Sequence, residues 1–295
     1  MNSRKLMTAC VLLLVSVLSA CARGEDAAAP PAQRIVSLAP AFTEMLFALD
    51  LGDRVVGVTR YCVYPPEAQA KPKIGGFATP DLESIVALRP DLVLMLPSDV
   101  FLQLQAKLQS VGIRAVQLPI DRVTDILNAI REIGRLTGEV ERGDALAKEI
   151  SGELEKLGQS DAEEVRPKVL FLVGYDPLVA VGGNSFINEL IGIAGGENVA
   201  ASDKRPYVTW SYEQVLAAAP DVIINAAMGT DATPEQRAEF DRILARWPTI
   251  PAVKNGRVHP IDISLATVPG PRIAQLAETL GRLFHLEPAS EGAGK

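Results

Sequence analysis

The sequence predicts an α/β protein of two similar lobes, each with a mostly parallel sheet flanked by helices, joined by a long α-helix. Three observations predict it. Short apolar runs alternate with stretches of helical spacing, and they do so twice, which is the pattern of parallel sheets covered by helices. One phrase is written twice: LESIVALRPDLVL at 82–94 and YEQVLAAAPDVII at 212–224 share a Glu, an apolar pair, Ala, and Pro-Asp before an apolar run. That separation is far too long for a solenoid or propeller repeat and points to one copy per lobe. Between the halves runs a proline-free segment, 123–159, with apolar residues at helical spacing.

Taken in order, the chain opens on MNSRKLMTACVLLLVSVLSAC, with Arg4 and Lys5 before an apolar stretch from Leu6 to Leu18. This is the anatomy of a secretory signal, and the stretch is shorter than the roughly 20 residues of a spanning helix. Its ending resembles a bacterial lipoprotein processing box. Residues 1–20 are therefore predicted as a signal peptide and Cys21 as the lipidated residue of an extracytoplasmic, membrane-anchored protein. Residues 22–33, rich in Ala and Pro, predict a flexible tether. With Cys10 removed and Cys21 acylated, only Cys62 remains, so the mature chain has no intramolecular disulfide.

The first lobe, 34–138, is predicted to carry strands at 34–39, 55–59, 92–96 and 114–119. These runs do not alternate, as suits strands buried on both faces. Glycines at 134, 138, 143 and 152 divide the long helical segment into two helices, or kink one helix, near 138–143. Residues 139–165 are assigned as the connection. The second lobe, 166–287, is predicted to carry strands at 168–174, 178–183, 221–227 and 257–263. A helix over 184–199 is stopped by Gly195-Gly196, and a closing helix covers 271–284 with Pro271 in its first turn. The last residues, 288–295, predict a frayed tail.

The formal charge of −7 becomes −9 once Arg4 and Lys5 leave, which disfavours nucleic acid as a partner. The sequence has no G-x-S-x-G, P-loop or H-E-x-x-H, and its two histidines cannot make a three-histidine metal site. His259 falls in a predicted strand, where a structural role is the ordinary one. No catalytic residue, resident cofactor or metal is predicted. The positive signal is aromatic: Tyr61 and Tyr64, Phe77, and Tyr207, Trp210 and Tyr212 all fall on predicted loops. In parallel α/β sheets ligands lie beyond the carboxyl ends of the strands, and rigid aromatics supply broad contact there. Cys62, in the same stretch, is either a small packing residue or a thiol within reach of a metal centre.

At these residues the chain resembles a known family. RIVSLAPAFTEMLFAL (34–49), GVTRYCVYPPEA (57–68), GGFATPDLESIVALRPDLVL (75–94), GGENV (195–199), the second copy of the repeat, and PGPRI (269–273) are similar to the class III substrate-binding proteins of ABC importers. These serve vitamin B12, iron–siderophores and haem, and the likeness is nearest to the vitamin B12 (cobalamin) branch. The resemblance implies two α/β lobes bridged by a helix, a monomer with its ligand in the cleft, and docking on an ABC permease dimer through Glu83 and Glu213, one per lobe. It also implies that Tyr61, Phe77 and Tyr207 lie against a corrinoid, Phe77 and Tyr207 standing where that branch has tryptophan. Arg272 matches an arginine near the ligand's nucleotide side, Asp262 lies close to a family aspartate but out of register, and Val179 replaces a phenylalanine. Trp210 is added from the loop-aromatic pattern. Ferric siderophore or haem binding in the same cleft is the alternative, with Arg60, Arg205 and Arg272 as the cations and Tyr61 or Tyr207 as a haem ligand. An enzyme acting on a cofactor through an acid such as Asp262 or Asp176, and a lipoprotein scaffold with an empty cleft, are the readings from other classes.

Overall fold

The computed structural model describes residues 30–76, 79–159, 166–230 and 232–285. The signal segment, Cys21, most of the tether, Phe77 and the tail lie outside the described residues. Among the described residues no helix is long and apolar enough to cross a membrane.

Four short strands make the first sheet: β1 (Ile35–Ser37), β2 (Val55–Val58), β3 (Leu92–Met95) and β4 (Arg114–Gln117), in the order β2-β1-β3-β4 and all parallel. The second holds β5 (Lys168–Tyr175), β6 (Leu178–Val181), β7 (Glu197–Asn198), β8 (Tyr207–Thr209), β9 (Val222–Asn225) and β10 (Val258–Pro260). Its order is β10-β9-β5-β6-β8, with β7 beside β5. Strands β10, β9, β5 and β7 are parallel, whereas β6 is antiparallel to both β5 and β8. Only Asp176 and Pro177 separate β5 from β6. A link that short makes a hairpin and cannot make a parallel crossover. Strand β8 is a difference from the predicted loop. Val208 is buried while Tyr207 and Thr209 are exposed, so three alternating residues suffice for a half-buried edge strand.

The helices of the first half are α1 (Pro40–Ala48), α2 (Leu82–Ala87) and α3 (Asp99–Ser110), followed by the pair α4 (Val123–Thr137) and α5 (Val140–Gln159). Gly138 ends α4 in the left-handed conformation, at φ 80°, a turn that glycine makes without steric cost. Gly134 serves packing instead: a Cβ there would lie 2.8 Å from the Glu139 carbonyl oxygen. The second half carries α6 (Phe186–Ile193), α7 (Tyr212–Ala218), α8 (Pro234–Leu244), α9 (Pro251–Lys254), α10 (Ile263–Thr267) and α11 (Ile273–His285). Helix α8 opens on a capping box between Thr233 and Gln236, a start signal that the sequence does carry.

The strand pattern decides where the cores lie. Successive residues point to opposite faces. Ile35, Leu92 and Leu94 of the first sheet join Val169, Phe171, Val222 and Ile224 of the second in one core with α1, α4, α5, α6 and α11. The alternate residues Val36, Val93 and Met95 fill a core on the far side of the first sheet. Leu170, Leu172 and Ile223 do the same for the second. Both sheets thus share one core through their inner faces, and from Ala32 the chain forms one compact unit. Ion pairs between the halves add to it: Arg122 with Glu189, and Arg272 with Glu44.

Candidate ligand cleft and docking edge

A cavity of about 340 Å³ opens between the two sheets, within the size range of small-molecule sites. Its walls are segments that follow strands: Ala39–Ala41 after β1, Leu96 after β3, Ile120 and Asp121 after β4, and Asn184–Phe186 after β6, joined by Tyr207 and Val268. The parallel strands β1, β3 and β4 therefore deliver segments to the cavity from their carboxyl ends, while the second sheet contributes the segment after its antiparallel strand β6 and Tyr207 at the start of β8.

Tyr207 is positioned by close backbone contact. Gly182 N donates to the Pro206 carbonyl at 2.9 Å and Gly183 N to the Asp203 carbonyl at 2.7 Å. A Cβ on Gly182 would lie 2.2 Å from the Arg205 carbonyl oxygen, so this glycine pair exists for backbone approach. Arg205 and Asp203 pair at 2.6 Å, and that guanidinium holds the Asp203 carboxyl down at about 2. Tyr207 is 42% exposed as a residue and lines the cavity. Burial of its hydroxyl end, and then the Asp121 carboxylate, push its phenol above the usual tyrosine range.

A second cavity, about 360 Å³, lies along α1 and is bounded by Glu44, Phe47, Tyr64, Glu67 and Arg272. Arg272 donates to both carboxylate oxygens of Glu44, at 2.8 and 2.6 Å, and to the Ser264 carbonyl. Its guanidinium also stacks 4.0 Å from the centre of the Tyr64 ring. Burial pushes the Glu44 carboxyl up, against the pull of Arg272.

The remaining candidates fall in different places. Tyr61 is 56% exposed on a turn beside β2. Trp210 packs against the outer core of the second sheet. Asp262 accepts from Leu265 N at 2.8 Å and from the Ser264 hydroxyl at 2.6 Å, capping α10. Burial raises its carboxyl, but these bonds win and lower it. Cys62 is fully buried, with its sulfur 3.1 Å from both the Thr43 and Thr59 hydroxyls. It is a packing residue, and the alternative of a thiol at the cleft is set aside. His259 sits on β10 with Nε2 buried and unbonded, and burial lowers its pKa. Among the described residues no group of three or more acidic, histidine or cysteine side chains could hold a metal. Of the predicted ligand residues, Tyr207 reaches the first cavity and Arg272 the second. Asp121, Ser185 and Ile120 were missed, although their place just beyond predicted strands was a usable signal.

The repeated phrase folds the same way twice. In each copy the first turn of a short helix exposes the glutamate, Glu83 on α2 and Glu213 on α7. Ile85 and Val215 are buried, and Arg89 and Ala219 take φ near +48° and +47°. Asp91 accepts from Gln33 N and Arg34 N at the start of β1, and Asp221 from Lys168 N at the start of β5. The helix ends can be placed from backbone bonds. Asp81 N reaches Ile74, whose own N reaches Val58 at the end of β2, while Trp210 N reaches Leu178, paired with Tyr175 at the end of β5. The two glutamate-bearing helices therefore begin near the carboxyl ends of β2 and β5 respectively. The Ser211 hydroxyl, backbone bonding and Arg246 keep the Glu213 carboxyl below the usual range.

Comparison with known proteins agrees with this geometry. A family model described as periplasmic binding protein matches residues 35–263. A vitamin B12-binding protein of Vibrio campbellii is 30% identical over 77% of this chain and 80% of its own length. An uncharacterized ABC transporter substrate-binding lipoprotein of Bacillus subtilis, YvrC, is 29% identical over 88% of this chain and 82% of that protein. Among solved structures, the periplasmic vitamin B12-binding protein BtuF of Vibrio cholerae superposes with a TM-score of 0.73 at 26% identity, covering 86% of this chain and 97% of that one. The periplasmic haem-binding protein RhuT of Roseiflexus sp. RS-1 gives 0.73 at 29% identity, covering 86% and 98%. The chain belongs to the periplasmic binding protein family, as an extracytoplasmic, class III substrate-binding protein of the ABC importer type.

Proposed function

We propose that this protein captures cobalamin or a related corrinoid in the cleft between its sheets and delivers it to an ABC permease dimer. One observation carries the choice of ligand: the cleft offers tyrosine and apolar surface, while two of the three candidate cations are already paired. Arg205 is bound to Asp203 and Arg272 to Glu44. An anionic ferric siderophore needs several free arginines or lysines, whereas a corrinoid rimmed with neutral amides presents mainly flat surface and hydrogen bonds. Relatives whose names specify vitamin B12 support the same reading.

Haem is the second reading, favoured by a tyrosine in the cleft and by haem-binding structural relatives. A tyrosine ligand binds iron as phenolate, and the raised Tyr207 phenol works against that form. Equilibrium dialysis against cyanocobalamin, haemin and ferric citrate tests the choice. Cyanocobalamin alone should be retained at micromolar concentration or tighter. Retention of haemin with a shifted Soret band, and none of cyanocobalamin, would replace the corrinoid with haem.

Glu83 and Glu213 are proposed as the docking charges, one on each lobe, meeting basic residues on a two-fold permease. Exposed acids of this kind act mainly on encounter rate and on the choice of partner. Lipidation at Cys21 would hold the protein at the membrane surface beside that permease.

A further inference from the structure

Asp121 is an acid whose place the fold does not explain. It follows β4, lines the cleft and is exposed. Helix α4 begins two residues later, but its start is already served. Asp125 accepts from Arg122 N at 3.0 Å, and Glu189 accepts from Val123 N at 2.9 Å. The adjacent cation, Arg122, is taken by Glu189, and across the cleft Arg205 is taken by Asp203. Among the described residues Asp121 has neither an ion pair nor a side-chain hydrogen bond. Its charge is felt in the cavity all the same, since it helps raise the Tyr207 phenol.

A carboxylate left unpaired on a ligand wall, with the neighbouring Arg122 and Arg205 each bound to another acid, adds negative potential to the site. Low-dielectric walls focus such a potential onto whatever enters. We propose that Asp121 is the charge filter of the cleft, admitting uncharged or zwitterionic macrocycles and disfavouring those whose rim carries carboxylates. This rests on the reading of the cleft as the ligand site and deepens it, by naming the residue that separates a corrinoid from an anionic tetrapyrrole of similar shape.

The test compares ligands that differ in charge but hardly in shape. Cyanocobalamin is paired with its monocarboxylic acid, and haemin dimethyl ester with haemin. Each is titrated calorimetrically into the full chain in mild detergent at about 0.1 M salt. The wild type should prefer the neutral member by about tenfold per added negative charge, the order expected of one partly exposed charge pair. Asp121→Asn should bring that ratio close to one, Asp121→Glu should preserve it, and about 1 M salt should abolish it in the wild type. An equal ratio in the wild type and in Asp121→Asn would overturn the proposal, as would an absence of preference in the wild type. If cyanocobalamin does not bind but the haemin pair does, the corrinoid reading fails, and the ratio within the haemin pair still decides the role of Asp121. Binding of none of the four ligands would overturn both.

Discussion

The two copies of the repeated phrase differ from each other less than the sheets that carry them. Around α2 and α7 the capping residue, the exposed glutamate, the buried aliphatic, the left-handed residue and the Pro-Asp clamp recur position for position. Around the cleft little recurs. The first sheet is wholly parallel and contributes plain post-strand loops. The second interrupts its parallel order with the β5–β6 hairpin and edge strand β8, which carries Tyr207. A two-fold partner asks for the same element twice, whereas a single asymmetric ligand does not. Sameness at the proposed docking helices and difference at the candidate cleft are what the proposed transport task would demand of two lobes.

The likeness can be broken or sharpened by substitution. The largest effect belongs to the glutamates: reversing both, Glu83→Arg with Glu213→Arg, should lower ligand uptake in cells at least tenfold while dialysis still shows ligand bound. The two single reversals should be about equally harmful, and strong inequality would show that the permease does not treat the lobes alike. Next come the buried residues under the helices. Ile85→Ala should cost about 3 kcal/mol in urea unfolding, and Val215→Ala, which removes less buried hydrocarbon, should cost less.

The clamps sharpen the comparison further. Asp91 receives two backbone N–H groups and Asp221 one. Asp91→Ala should thus cost about 2 kcal/mol and Asp221→Ala about 1 kcal/mol; equal costs would mean that the second bond at Asp91 contributes nothing. The smallest effect is one of pH and belongs to the second lobe. Arg205 lowers the folded Asp203 carboxyl to about 2 from an ordinary 3.8. The stabilisation is full above pH 3.8 and is lost as pH falls through 2. The melting temperatures of the wild type and Asp203→Asn should therefore converge between about pH 4 and pH 2.

Much of this architecture could be read from residues. Strand–helix alternation and the Pro-Asp repeat gave the two sheets, and the glycine at 138 marked the break between α4 and α5. Burial on both faces explains why the strands read as unbroken apolar runs, since alternate residues feed different cores. Strand β8 escaped because three residues with one buried valine carry too little periodicity to stand out. The cleft was harder still. Tyr207 was legible as an aromatic near a strand, but the Glu44–Arg272 pair joins residues from opposite ends of the chain, and no local pattern announces it. Trp210 and Asp262 show the same limit: an aromatic or an acid on a loop reads alike whether it faces a cavity, a core or a helix end.

The central claim, that the cleft takes a corrinoid against its aromatic wall, is tested most directly by calorimetry of cyanocobalamin into the full chain in mild detergent. The Phe77→Ala/Tyr207→Ala variant is titrated alongside. The account predicts one-to-one binding at micromolar affinity or tighter in the wild type, lost in the variant. Absence of heat at several temperatures, with haemin or a ferric siderophore titrating in its place, would contradict it.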